Sequence, residues 1–156
     1  MRGRTLVRAG LVLVAVVVLD QVTKALVRGG IDVGEEDSIL PGVSLVHVRN
    51  TGVAFGAFSG GGIIVVALVA AALIALLYYF FTHLDKPLVW LPTGMLLGGS
   101  IGNIIDRVRD GAVTDFVKLP AWPAFNVADI SITFGVLVLL WVIEQDGRGG
   151  ADGERG

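Results

Sequence analysis

The sequence predicts an all-α membrane protein: four transmembrane helices with a small β-containing segment outside the bilayer. Three observations carry that prediction. Hydrophobic residues make up 54% of the 156-residue chain and charged residues only 17%, against roughly 25% charge in a soluble domain; the mean hydropathy is +0.77. Apolar runs long enough for about 20-residue crossings recur four times. The polar residues between them gather at one end of the predicted spans, where ionisable groups read by default as a functional site.

The first run, from about Leu6 to Val27, follows Arg2, Arg4 and Arg8 and is broken only by Asp20, Gln21 and Lys24. A secretory signal would stop after about 7–15 apolar residues at a small-residue cleavage site; here the run continues past Lys24, so a retained helix is expected. Asp20 and Lys24, four apart, share a face and suit an ion pair near its outer end. Residues 29–60 change character, with Gly29-Gly30, the acidic Glu35-Glu36-Asp37, the turn Pro41-Gly42 and the alternating Val43–Val48 predicting a short strand outside the membrane. Phe55 and Phe58 in this connection are candidates to cover a substrate or to anchor at the interface. The second span is expected from Ile63 to about Phe81, ending in an interfacial Tyr78-Tyr79 pair. The third runs from about Leu88 to Ile105, a polar connection covers residues 106–125, and the fourth span extends from about Val127 to Ile143. Residues 1–144 form one domain in this reading, and the Gly-, Asp- and Arg-rich residues 145–156 are expected to be a disordered cytoplasmic tail.

An even number of spans puts both termini on one side, and the N-terminal arginines favour the cytoplasm for it. Asp20, Lys24, Asn50, Asn103, Asp106, Arg107, Asp115, Asn126 and Asp129 then all fall at the opposite, outer end.

Several chemistries are excluded. Cysteine is absent, which removes disulfides, thiolate metal sites and cysteine nucleophiles. A net charge of −2 with scattered basic residues gives no case for nucleic acid. Gly98-Gly99-Ser100-Ile101-Gly102 matches the G-x-S-x-G pattern, but that motif needs a strand-turn-helix elbow and Ser100 lies inside an apolar helix, so Gly98 and Gly102 read as a small-xxx-small packing pair. His47 lies in the predicted strand and His83 at the other membrane face, so neither supports a serine nucleophile.

The remaining chemistry belongs to carboxylates. Asn103 and Asp106 are three residues apart at the end of the third span, and Asn126 and Asp129 repeat the spacing at the start of the fourth, placing two amide-carboxylate pairs at one depth. Two nearby aspartates that share a proton can hydrolyse a peptide without metal or cofactor: one takes a proton from water while the other protonates the carbonyl oxygen. Asn and Arg donors such as Arg107 are placed to stabilise the oxyanion. Spacing leaves open whether Asp115 or Asp106 partners Asp129. A small transporter or proton-conducting bundle is the alternative, but it requires polar residues through the full membrane depth. A non-enzymatic assembly protein would not need paired carboxylates.

Five blocks in order, Asp20-Gln21-Val22-Thr23-Lys24, Asn50-Thr51-Gly52-Val53-Ala54-Phe55-Gly56, Gly102-Asn103-Ile104-Ile105-Asp106-Arg107, Val113-Thr114-Asp115-Phe116 and Phe125-Asn126-Val127-Ala128-Asp129, resemble the bacterial lipoprotein signal peptidases, or signal peptidase II. The resemblance covers almost the whole chain. It implies an aspartic endopeptidase of the bacterial inner membrane, acting near the periplasmic surface; a monomer among membrane lipids is expected. Its substrate would be a diacylglyceryl-modified prolipoprotein, cut before the lipidated cysteine. By position it implies Asp115 and Asp129 as the catalytic pair, supported by Asp20, Lys24, Asn50, Gly52, Asn103, Asp106, Arg107 and Asn126, with no metal. Thr114 departs from the valine usual before the first aspartate, and the connection from Asp115 to Asp129 is short for the family.

Overall fold

A computed structural model describes residues 2–52 and 61–153 of the chain. Four long helices, α1 (Arg2–Gly30), α2 (Gly61–Thr82), α3 (Trp90–Asp110) and α4 (Val127–Gly153), accompany strands β1 (Glu36–Leu40), β2 (Val43–Asn50) and β3 (Val113–Lys118). The side chains of residues 53–69, Phe55 and Phe58 among them, lie outside the described set.

The run Leu11–Leu19 is rich in valine, which favours strands in water, yet it is helical. Hydrocarbon offers no partner for backbone groups, so a spanning segment must satisfy them internally. At 1.5 Å per residue the 29-residue α1 is about 44 Å long, more than the roughly 30 Å of bilayer hydrocarbon. Leu11, Val14, Val18, Val22 and Leu26 on α1, and Phe134, Leu137 and Leu140 on α4, are exposed; such surfaces suit lipid as solvent. Among the described residues, α1 and residues 127–145 of α4 are long and apolar enough to cross a membrane. Helical backbone in α4 continues to Gly153, into the segment expected as a tail.

α3 lies between α1 and α4 and packs on both. Its length of 21 residues includes four charged residues in the last turn and a half, and glycine where it meets its neighbours. A Cβ on Gly94 would sit 2.7 Å from the Ala9 carbonyl, one on Gly98 2.8 Å from Val16 Cβ, and one on Gly102 2.6 Å from Asp20 Oδ2. These glycines, four apart, form the seam with α1; Gly99, a Cβ on which would lie 2.5 Å from the Ala128 carbonyl oxygen, opens the seam with α4. The expected small-xxx-small pair is therefore part of a longer strip. Gly99→Ala should destabilise the fold by about 1–3 kcal/mol, since backbone on both sides cannot yield. Gly10→Ala, with nothing within 4 Å of the added methyl, should be neutral or better; thermal melts of the two variants in detergent check the contrast.

The strands form one antiparallel sheet in the order β1-β2-β3. Pro41 and Gly42 close the β1-β2 hairpin, with Gly42 at φ +80, the left-handed position that glycine fills without strain. β2 matches the alternating run read from sequence; β1 and β3 are additions to it. β3 occupies part of the polar connection read from the sequence, and α3 reaches one turn further into that connection than expected. Gly111 ends α3 at φ +70 with its N–H on the Arg107 carbonyl, so the chain reverses at once into β3. Val48 of β2 pairs with Asp115 of β3, and Asn50 with Val113.

Candidate active site

The site is built in layers from the helix seam outward. At its base, Lys24 is fully buried with Asp20 and Asp106. Its Nζ lies 2.8 Å from Asp20 Oδ2 and 3.1 Å from Asp106 Oδ2, and it donates to Asn103 Oδ1 at 2.9 Å. Those three acceptors use all three ammonium protons, the condition under which a buried lysine is tolerated. The expected Asp20–Lys24 pair is thus present and is part of a triad.

Both aspartates of the triad also organise backbone. Asp20 Oδ1 accepts the Ala128 N–H at 2.9 Å, satisfying an otherwise unpaired donor in the first turn of α4. Asp106 Oδ2 accepts the Thr114 N–H of β3 at 3.1 Å, and its Oδ1 accepts Gln21 Nε2 at 3.0 Å. Arg28 and Arg109 approach Asp106 at 3.7 and 3.9 Å.

The next layer consists of amides. Because Asn103 Oδ1 faces Lys24, its Nδ2 points outward and donates to Asp129 Oδ1 at 2.9 Å. Asn126 precedes α4 and forms a reciprocal cap with Asp129: Asn126 Oδ1 accepts the Asp129 N–H at 3.0 Å, and Asp129 Oδ2 accepts the Asn126 N–H at 3.3 Å. This is the capping-box geometry, and it explains the three-residue spacing. With its acceptor used by the cap, Asn126 turns Nδ2 onto Asn103 Oδ1 at 3.2 Å and Asp115 Oδ1 at 2.6 Å.

Asp115 completes the outer layer. Asn50 Nδ2 donates to its Oδ2 at 2.9 Å, while Asn50 Oδ1 accepts the Gly52 N–H at 2.9 Å. Gly52 adopts φ +73, so the turn that aims Asn50 relies on a residue without a Cβ. Burial pushes the Asp115 carboxyl above the usual aspartate range, and the nearby Asp129 charge adds to the shift, against the hydrogen bonds from Asn50 and Asn126. Asp115 lines a cavity of about 570 Å³ together with Asn50, Lys118, Trp122 and neighbouring residues of β2.

The structure therefore brings together Asp20, Lys24, Asn50, Gly52, Asn103, Asp106, Asp115, Asn126 and Asp129. Asn126 bonds to both Asp115 and Asp129, whereas Asp106 lies behind the amides among cations. Arg107 stands apart: it is exposed and its Nη1 donates to the Asn103 carbonyl one turn back at 3.4 Å. Ser100 sits within α3, His47 Nδ1 is 2.8 Å from the Ile31 carbonyl, and His83 stacks on Tyr79. Sequence reasoning missed Gln21, Arg28 and Thr114 as parts of the network. Gln21 carried a usable signal, a polar residue interrupting an apolar run; Thr114 was marked only by its departure from the valine usual there, and Arg28 carried none.

Residues 12–144 match the peptidase A8 family, signal peptidase (SPase) II. The chain is 35% identical over 138 residues to the lipoprotein signal peptidase of Halothermothrix orenii, covering 87% of this chain and 95% of that one. It is 38% identical over 128 residues to that of Moorella thermoacetica, covering 81% and 85%. A solved bacterial membrane enzyme superposes with a TM-score of 0.77 at 32% identity, covering 86% of this chain and 91% of the other. With most of its length matched in sequence and in fold, and with buried carboxylates at the meeting point of the matched blocks, the chain belongs to the signal peptidase II family.

Proposed function

We propose that the protein is an aspartic endopeptidase that removes the signal peptide from diacylglyceryl-modified prolipoproteins, cutting before the lipidated cysteine, with Asp115 and Asp129 as its catalytic pair. The observation that carries the pairing is Asn126, whose backbone and side chain bond to both residues while the nearest buried cation, Lys24, contacts Asn103 instead. A cation in contact with either carboxyl would hold it ionised. The amide layer orients the pair.

In this reading α1 to α4 span the bacterial inner membrane as one domain and a monomer. Both termini are cytoplasmic, supported by Arg2, Arg4 and Arg8, and the sheet lies at the periplasmic face. Asp129, ionised, takes a proton from water as the oxygen attacks the scissile carbonyl. Asp115, protonated, donates to the carbonyl oxygen to give a gem-diol; the proton taken by Asp129 then passes to the leaving amine as the C–N bond breaks, while ionised Asp115 takes back a proton from a diol hydroxyl as the carbonyl re-forms. The products are the signal peptide, with a new carboxyl end, and the lipoprotein with a free cysteine amine.

The purified protein in detergent should cleave a diacylglyceryl-modified prolipoprotein, leave the unmodified precursor intact, and work unchanged in excess chelator. Cleavage of both precursors alike, or a loss restored by metal, would refute the reading. Turnover should also be bell-shaped in pH. At low pH both carboxyls are protonated and no base remains; at high pH both are ionised and no acid remains. Since Asp115 is raised, the alkaline limb should lie above the usual aspartate range. Asp129→Asn removes the neighbouring charge, so the Asp115 titration followed by NMR should move down in that variant while burial keeps it above an ordinary aspartate.

A further inference from the structure

The cavity at Asp115, about 570 Å³, adjoins a second space of about 480 Å³ that reaches Gly42 and Leu119, and Glu36, Lys118, Trp122 and Pro123 line both. Together they form a groove leading from the Asp115 carboxyl across the sheet. Where the two spaces meet, Lys118 Nζ of β3 donates to Glu36 Oε2 of β1 at 2.6 Å. β2 lies between those strands, with Val46 beside Glu36 and Ser44 beside Lys118. The outer strands are therefore about 10 Å apart, twice the strand spacing, and the two side chains meet over β2. They are 47% and 42% exposed, so a peptide in the groove can reach them. Hydrogen bonds with Lys118 and Ser44 hold the Glu36 carboxyl below the usual carboxylate range, which keeps the pair ionised at neutral pH. Trp122 follows Ala121 at φ +57, a left-handed conformation unfavourable to a residue with a Cβ, and is 65% exposed. An indole held out at that cost gives the groove an apolar wall.

We propose that Glu36 and Lys118 determine specificity beyond the cut: as a pair they keep neutral the path of the segment that follows the lipidated cysteine, so that segments of either charge pass. The inference rests on the peptidase reading above. A signal peptide is apolar through its central region and, like the diacylglyceryl chains, stays with the helices and the bilayer. The sheet stands outside the bilayer in that reading, so the part of the substrate that crosses it is the chain beyond the cysteine. Lys118 lies three residues from Asp115 along β3, about 10 Å at 3.3 Å per residue. An extended segment leaving the Asp115 carboxyl covers that distance in three residues, which brings the second and third residues after the cut, the cysteine counted as first, to the pair. A carboxylate arriving there meets Lys118 and Glu36 together, as does an ammonium, and attraction and repulsion offset. With one member of the pair removed, the other acts alone.

The test uses two diacylglyceryl-modified prolipoproteins that differ only at the third residue after the cut, Asp in one and Lys in the other. The readout is the ratio of their kcat/KM values within each protein, from which any general change in activity cancels. The wild-type ratio should be close to one. Lys118→Gln, which leaves Glu36, should shift it about three- to fivefold toward the Lys substrate, and Glu36→Gln should shift it as far toward the Asp substrate, the scale of one exposed charge contact. The double variant, neutral again, should return to the wild-type ratio. Moving the Asp or Lys to the eighth residue should abolish both shifts, because that position lies well beyond a screening length of about 10 Å at 0.1 M salt. Unchanged ratios in both single variants, shifts that persist with the charge at the eighth residue, or a wild-type ratio as far from one as theirs would overturn the proposal. Failure of the wild-type protein to cleave either lipidated precursor overturns the peptidase reading and this inference with it. Cleavage with ratios that no variant changes overturns the inference only.

Discussion

Asp115→Asn and Asp129→Asn should each lower cleavage of the lipidated precursor by about 10³- to 10⁴-fold, the scale of a lost general acid or base. Combining them should add little, because the two carboxyls act as one unit. The folds should survive. In Asp129→Asn, the amide oxygen can still accept from Asn103 or complete the cap with Asn126. In Asp115→Asn, one of the two amides donating to Asp115 loses its acceptor, a penalty of about 1–3 kcal/mol for an unsatisfied buried group that a thermal melt would register without unfolding at working temperature. Asp106→Asn is the informative neighbour. It weakens the contact with Lys24 but keeps an acceptor for the Thr114 N–H, so turnover should fall and remain measurable. Complete loss in Asp106→Asn beside a tolerant Asp115→Asn would exchange their roles.

How much of this was legible beforehand differs by element. The helices were plain in the apolar runs, since length and composition decide a membrane span almost alone. The polar residues that the fold brings together were legible as types, because each carboxylate or amide interrupts or borders an apolar run. Their partners were not. The Asn126 and Asp129 spacing suggested a polar centre, but only coordinates distinguish a shared face from a reciprocal cap that turns one amide proton toward Asp115. β3 was hidden because Val113–Lys118 alternates weakly and is buried for most of its length, so no outward polar face marks it as a strand. For Arg107, sequence adjacency to Asp106 suggested a place near the carboxylates, while the helical turn directs its side chain to the exposed side of α3.

Lys24→Met should produce the largest loss of stability, about 3–5 kcal/mol, the range for removing one member of a buried ion pair. The substitution leaves Asp20 and Asp106, both fully buried, without the ammonium between them, and it takes from Asn103 Oδ1 the shorter of its two hydrogen bonds. Lys24→Arg should not rescue, because a planar guanidinium with five donors cannot reproduce three converging contacts in that space. Asp20→Asn added to Lys24→Met should recover part of the loss. The asparagine oxygen can still accept the Ala128 N–H, one buried negative charge is removed, and Asp106 keeps Arg28 and Arg109 within 4 Å. A double variant more stable than Lys24→Met alone, read from thermal melts in detergent, is therefore the expected sign of coupling. Losses that simply add would mean that the triad contributes through shape instead of charge. Activity should not recover with stability: without Lys24, the Asn103 amide keeps only the longer bond from Asn126 Nδ2 at 3.2 Å to set which end faces Asp129, and an oxygen turned toward that carboxylate would repel it.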